Sequence, residues 1–404
     1  MKRQRFLYCS AIALLMAIPF AGHAADAPLA LSVDAKSSGA DVPVSVAIDL
    51  PKAMADVPVE EIDVMLELGD AKVPGQIVKC GNTTKLIWIV PKVEAGQTQE
   101  WTATFNRGQS PVDRFEFKDT PGKTLDLLLG GRKVMQYFYP FDMSTKESVF
   151  ATYKPFHHVF DAAGEKPITQ GNDGTKFPHH RALFIGFSKL QAGDNTSGDY
   201  WHMRNRKQQH QEHVAMTAGP VAGSSTALIH WITDEGDLAV KEERRVTAYR
   251  QSGPTMLLID FESRLTAPGH EVVLHGDPEH AGMQFRTHGD VDAGKTKYTY
   301  PEGIDAVQGK LDLPWAALSM SLKREGDPRY TIQHMNHAGN PKGTKYSAYR
   351  DYGRFGAFPS TTIAADDTLT LRYRIWVAQG DAPAIEQLQS QSDNFNTPPV
   401  VTVK

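Results

Sequence analysis

Leu369, Leu371, Tyr373, Ile375 and Val377 alternate with Thr370, Arg372, Arg374 and Trp376, a period of two that suits only an extended chain. Successive side chains of a strand point to opposite faces, so this segment has one apolar face and one mixed face. The apolar face has to be buried against another layer. Shorter β-branched and aromatic runs recur between turn signals at residues 44–50, 85–90, 226–232 and 255–261. Helical periodicity is scarce. The best helix candidate starts near Asp381 as a cap, with Pro383 in its first turn and Ile385 and Leu388 three apart. The chain therefore reads as all-β, with sheets packed on one another.

The histidines divide the chain. Apart from His23, all of them lie between His157 and His337. Residues 25–109 carry none and alternate strand-like runs with turns, which predicts a small N-terminal β-sandwich. Residues 110–404 then form a larger β-sandwich that holds the histidine-rich site. Ahead of both, Lys2, Arg3 and Arg5 precede an apolar run over residues 6–20 and the small-residue stretch Ala21-Gly22-His23-Ala24-Ala25. That order is a secretory signal peptide, residues 1–24, with the cut after Ala24. The apolar run is short for a bilayer span of about 20 residues. Periplasmic or secreted residence follows, with no membrane attachment once the signal is removed.

Export removes Cys9 and leaves Cys80 alone, so the fold rests on a hydrophobic core rather than a disulfide. It also removes three cations and no anion, taking the formal charge from −4 to −7. With no long run of one sign, the chain has no footprint for nucleic acid.

Chemistry concentrates at Phe177-Pro178-His179-His180-Arg181, which follows the polar loop Gln170-Gly171-Asn172-Asp173-Gly174. If the two histidines open a strand, their rings point to opposite faces and one enters a pocket. A second cluster is Asp199-Tyr200-Trp201-His202, followed by His210-Gln211-Glu212-His213. On a helix His210 and His213 share a face at metal-ligand spacing, and on a strand they face apart; the sequence leaves both open. In Lys241-Glu242-Glu243-Arg244-Arg245, alternation turns one glutamate inward with one arginine. Later come Asp277-Pro278-Glu279-His280, Arg286, His334 and His337, and then Tyr349-Arg350-Asp351-Tyr352-Gly353-Arg354-Phe355-Gly356. Aromatic rings beside arginines and carboxylates suit sugars, whose apolar faces stack and whose hydroxyls meet charged forks.

The His-His-Arg element, Tyr200-Trp201, Glu243 with Arg245, Gly282-Met283-Gln284-Phe285-Arg286 and Arg350 to Gly356 together resemble the PmoA-like (DUF6807) family of bacterial proteins of unknown function. The resemblance implies a β-sandwich whose relatives accompany sugar-processing enzymes. Methane oxidation is not expected, because the chain offers no spanning segment after its leader.

These observations predict an exported carbohydrate-active enzyme on a mutarotase-like supersandwich, working by acid and base chemistry on a sugar or uronate as a hydrolase, lyase or epimerase. His179 or His180 is one catalytic group and Glu243 its complement. Arg181, Trp201, Arg286, Arg350 and Tyr352 bind the carbohydrate. No cofactor is required by this scheme; where a divalent metal, zinc or calcium, is bound, His210, His213 and His337 are the candidate ligands. The rival class is a non-catalytic periplasmic protein that binds glycan or metal.

Overall fold

The computed structural model describes residues 28–109, 111–172, 176–193 and 196–404. The expected signal peptide, and Asp173 and Gly174 of the polar loop, lie outside the described residues. Among the described residues the regular structure is nearly all antiparallel β, in four sheets. No helix there is long and apolar enough to cross a membrane.

The first sheet has seven strands in the order Gly39–Ala47, Thr83–Val93, Ala71–Cys80, Ile62–Leu68, Thr98–Arg107, Leu29–Asp34 and Val400–Val403. It curls over its own core of Leu31, Val33, Val64, Leu66, Leu86, Trp88 and Trp101. The strand Val400–Val403 comes from the far end of the chain and pairs antiparallel with Leu29–Asp34. Cys80 is a free, exposed thiol at the end of its strand.

Two eight-stranded sheets form the larger sandwich. One, here the long sheet, carries Lys207–Ala218, Ala222–Ile232, Leu238–Tyr249, Thr255–Thr266, Thr368–Gln379, Arg329–Asn336, Trp315–Ser321 and Lys297–Thr299 in that order. The other, the site sheet, runs Lys345–Ser347, Arg354–Phe358, Ala281–Arg286, Leu183–Phe187, Phe156–Val159, Arg132–Phe138, Thr124–Leu129 and Phe115–Thr120. A small four-stranded sheet built on Lys189–Ala192 and Val272–His275 flanks them.

The alternation that opened the sequence works as it should in Thr368–Gln379: Leu371, Tyr373, Ile375 and Val377 enter the core between the two large sheets. The other face is covered where Trp376 meets Leu388 of the helix Ile385–Asn396. That helix is capped at Ala384 without a side-chain bond, and Asp381, expected as its cap, pairs instead with Arg329.

On the outer face of the long sheet, Arg245, Glu262 and Arg372 stand in register across three strands, with Glu262 bonded to both arginines at 2.8 and 2.9 Å. Asp260 and Arg374 form a bidentate pair at 2.6 and 2.8 Å beside them. Between this face and the first sheet lies a cleft of about 440 Å³ reached by Ser45, Lys85, Glu262, Arg374 and Phe395; no histidine lines it. Gln76 of the first sheet ties the two bodies by accepting the backbone N–H groups of Val221 and Ala222 at 3.0 and 2.9 Å.

Candidate functional site

Register fixes which side of the site sheet is free to hold a site. Phe184 lies opposite Gln284, Gly186 opposite Gly282, Gln284 opposite Gly356 and Arg286 opposite Arg354. The intervening Phe355 faces the long sheet, where it meets His334 at 6.0 Å and Tyr298 at 5.9 Å. By alternation Phe184, Gly186, Gln284, Arg286, Arg354 and Gly356 therefore face away from the core. Three loops lie over that face.

The first loop carries His179 and His180. Gln170 reaches under it with Nε2 donating to the carbonyls of Phe177 and His180 at 3.2 and 3.1 Å, and a tight turn closes with His180 N–H on Phe177 O at 3.0 Å. Phe177 takes φ of +51° to make that turn, at a cost of about 1–3 kcal/mol for a residue with a Cβ. The histidines thus precede the strand rather than open it. Their rings do not diverge as expected but meet edge to face, 4.2 Å between centroids.

The second and third loops share one design. In Asp199-Tyr200-Trp201-His202, Asp199 Oδ1 accepts the backbone N–H of Trp201 at 3.0 Å and Oδ2 accepts His202 Nδ1 at 2.8 Å. In Asp277-Pro278-Glu279-His280, Asp277 Oδ1 accepts the N–H of Glu279 at 2.9 Å and the carboxylate accepts His280 Nδ1 at 2.9 Å. Burial alone would raise both carboxyls, but hydrogen bonds from the histidines and the backbone hold them below the ordinary value. An ionised aspartate on Nδ1 fixes the proton there and leaves Nε2 of each ring with its lone pair. Gly186 makes room for the second loop, because a Cβ on it would sit 2.3 Å from the Tyr200 carbonyl oxygen.

The four rings converge. His202 lies 4.6 Å from His179 and 4.7 Å from His280, centroid to centroid. One ring nitrogen each of His179, His180 and His280 falls within 4.8 Å of the others, and among the described residues this is where three possible ligands meet. Nε2 of His179 and both ring nitrogens of His180 are buried without a hydrogen-bond partner. Burial first, then the charges of Lys154, His202, His280 and Arg181, push His179 down to about 3. His180 is driven lower still, by burial and then by His179, Arg354 and Arg286. Both imidazoles are therefore neutral, which is the ligating form.

An aromatic and basic shell surrounds the rings. Tyr352 stacks nearly parallel to His180 at 6.2 Å, Trp201 meets it edge-on at 5.6 Å, and the half-exposed Phe177 packs 5.0 Å from Tyr352. Buried Lys154 donates to the Trp201 carbonyl at 2.6 Å and lies 3.9 Å from the Phe184 ring centre. Burial, with Arg181 nearby, lowers its pKa well below that of an ordinary lysine. At the rim Arg350 pairs with Glu279, which also accepts Tyr349 OH at 3.1 Å.

Of the residues singled out from sequence, His179, His180, Trp201, Arg286 and Tyr352 come together here, with Arg350 at the edge. Arg181 is fully buried, but its guanidinium donates to the carbonyls of Gly171 and Phe150 at 3.0 and 2.7 Å and so props the loops rather than facing a ligand. Glu243 is not in the site. It lies on the outer face of the long sheet and pairs with Arg264 at 3.1 Å, while its neighbour Glu242 turns inward to a buried pair with Arg244. The expected metal ligands are also corrected. His210 and His213 sit on a strand with a β-bulge between them, after His210, which brings both rings to one side, 4.5 Å apart, against Tyr137 and Tyr139. His337 is elsewhere, against Phe395, and joins neither.

Asp199, His202, Asp277, His280 and Arg354 lie in segments the sequence singled out but were given no role, and Lys154 was not singled out at all. A signal existed for four of them, since Asp-x-x-His occurs at 199–202 and again at 277–280.

Fold and site together define an antiparallel β-sandwich protein with a carboxylate-braced imidazole cluster on one sheet face. The chain belongs to the DUF6807 family, a family of unknown function, whose sequence profile matches residues 124–392 and so takes in the whole cluster. No curated protein matches the chain. Among solved structures it is similar to a protein in glycosyl hydrolase family 38 from Enterococcus faecalis, at 8% identity and a TM-score of 0.43, over 93% of this chain. The chain spans 47% of that protein, about half its length.

Proposed function

We propose that the protein is a metal-dependent enzyme acting on carbohydrate, a hydrolase, lyase or epimerase, working outside the cytoplasm after loss of residues 1–24. The observation that carries this is the convergence of His179, His180 and His280 within 4.8 Å, with buried, partnerless nitrogens on two of them. Three imidazole ligands suit a zinc-type ion, whereas calcium takes oxygen ligands. Bound there, such an ion supplies Lewis-acid polarisation of a substrate oxygen. Asp277 fixes the tautomer and direction of His280. His202, held by Asp199 at 2.8 Å, has a free Nε2 next to the three ligands and takes the proton-transfer role that sequence gave to Glu243. Half-exposed Phe177, backed by Tyr352 at 5.0 Å, offers the apolar surface on which a sugar ring stacks, while Trp201 is buried beneath the histidines. The PmoA-like label is kept as a sequence relationship, not as methane oxidation.

The test joins elemental analysis of zinc-equilibrated protein to a turnover screen on glycosides and uronates with wild type, His180→Ala and Glu243→Ala. One zinc per chain, lost in His180→Ala together with turnover and retained in Glu243→Ala, is expected. Equal turnover in all three, or no bound metal in wild type, refutes it. Metal and sugar bound without turnover would favour the binding-protein class instead.

A further inference from the structure

We propose that the substrate of this centre is an acidic sugar, a uronate, whose carboxylate is received by Arg354 and Arg286. This deepens the function proposed above and rests on it for the location of the reacting end. The two arginines stand opposite each other on adjacent strands and are both fully buried. Their side chains leave the sheet on the face that carries the histidines.

Among the described residues neither is hydrogen-bonded to a carboxylate. Arg286 Nη1 is committed to the Thr287 carbonyl at 3.0 Å and to the Tyr352 carbonyl, but Nη2 reaches only Lys176 O at 3.4 Å and Nε has no partner. Arg354 is less satisfied. Its Nη1 makes two long contacts, 3.3 Å to Gln284 Oε1 and 3.5 Å to Pro278 O, while Nε and Nη2 have no hydrogen-bond partner. The carboxylate in its neighbourhood, Glu279, stands off at 3.9 Å and gives its closer contacts to Arg350 and Tyr349. Asp199 and Asp277 are taken by their histidines.

Among the described residues the local balance is thus positive before any metal is counted. Two guanidinium groups in one buried place repel, and Arg286 is lowered to about 10, chiefly by burial, with the charge of Arg354 acting in the same direction. A neutral sugar leaves that charge uncompensated, which is the costly state for buried ions. A planar carboxylate matches the fork of guanidinium donors and supplies the missing anion. Arg286 Cζ lies 4.9 Å from the centre of the Tyr352 ring, which stacks on His180 at 6.2 Å, so a carboxylate held by the arginines sits beside the ring that packs on the ligand cluster.

The experiment is calorimetric titration of the zinc-equilibrated full chain with galacturonate and glucuronate against galactose and glucose, with a sugar 6-sulfate and a 6-phosphate as further arms. Wild type should bind a uronate about 10- to 100-fold more tightly than its neutral counterpart, the range for charge-assisted hydrogen bonds. Arg354→Gln should remove that preference, and Arg354→Lys, which keeps charge without the fork, should fall between. Zinc content and melting temperature of each variant show that the fold and the ligand cluster persist. Equal binding of acid and neutral sugars, or no binding of the uronates, overturns the proposal. Tighter binding of sulfate or phosphate overturns the carboxylate assignment. Zinc bound without uronate preference defeats this inference alone, whereas uronate preference in protein that takes up no zinc defeats the metal assignment alone.

Discussion

Glu242→Gln should be among the most destabilising single changes in the larger sandwich, while Glu243→Gln beside it should be nearly silent. Four donors converge on the Glu242 carboxylate: Arg244 Nε and Ser263 Oγ at 2.8 Å each on Oε1, and Trp231 Nε1 at 2.8 Å with Arg244 Nη2 at 2.9 Å on Oε2. An amide NH2 in place of Oε2 sets donor against donor at two contacts, and in place of Oε1 only at Arg244 Nε, because the Ser263 hydroxyl can turn to accept. Each buried donor left unsatisfied costs about 1–3 kcal/mol. The same change strips the countercharge from Arg244, which is 1% exposed, and breaking a buried pair from one side costs about 3–5 kcal/mol. The two routes describe overlapping losses and meet at about 3 kcal/mol, more than a hundredfold in the folding equilibrium. Glu243 loses only an exposed contact to Arg264, worth about 0–1 kcal/mol. Guanidinium unfolding followed by tryptophan fluorescence and far-UV circular dichroism measures both variants. Agreement between them within about 1 kcal/mol would show that Glu242 is not buried with Arg244 in solution and would undo the inward-outward assignment of this strand.

Gly186→Ala places a Cβ 2.3 Å from the Tyr200 carbonyl; the Asp199–His202 loop must lift, zinc uptake should weaken, and stability should fall by about 1–3 kcal/mol, read by melting and metal titration. Burial raises the Asp290 carboxyl, but hydrogen bonds from His288 and Arg324 more than offset this and hold it below 3.8. A carboxyl depressed on folding stabilises fully above its unfolded value and loses that contribution as pH falls through its folded value. The stability gap between wild type and Asp290→Asn should therefore be largest near neutrality and shrink below about pH 4; a gap that does not change with pH contradicts the assignment.

Much of the β-structure was legible because period-two patterning is a local property, and residues 85–90, 226–232, 255–261 and 368–377 all lie within strands. Alternation also established that Glu242 and Glu243 face opposite ways, but not which one faces in. That choice is a one-residue register, decided by Trp231 and Ser263 on the neighbouring strands. His210 and His213 defeated a strand rule because a bulge resets the alternation between them. The histidine centre is assembled from residues 179–180, 202 and 280, which meet because Leu183–Phe187 pairs antiparallel with Ala281–Arg286. Neither that pairing nor the return of Val400–Val403 to the first sheet is written in local periodicity.

That returning strand changes the mechanics of the two bodies. The chain passes from the first sheet to the larger sandwich between Arg107 and Phe115, and passes back between Asn396 and Val400. A body held by one tether can swing and twist in any direction. Held at two separate points, it loses most of that freedom, and cross-ties remove more: Gln76 to the N–H groups of Val221 and Ala222, Asp41 to the N–H of Ser252, and Asn394 to the Ser38 carbonyl. The cleft faced by Glu262, Arg374 and Phe395 lies between the two bodies, so its width is set by these ties as well as by the two crossings of the chain.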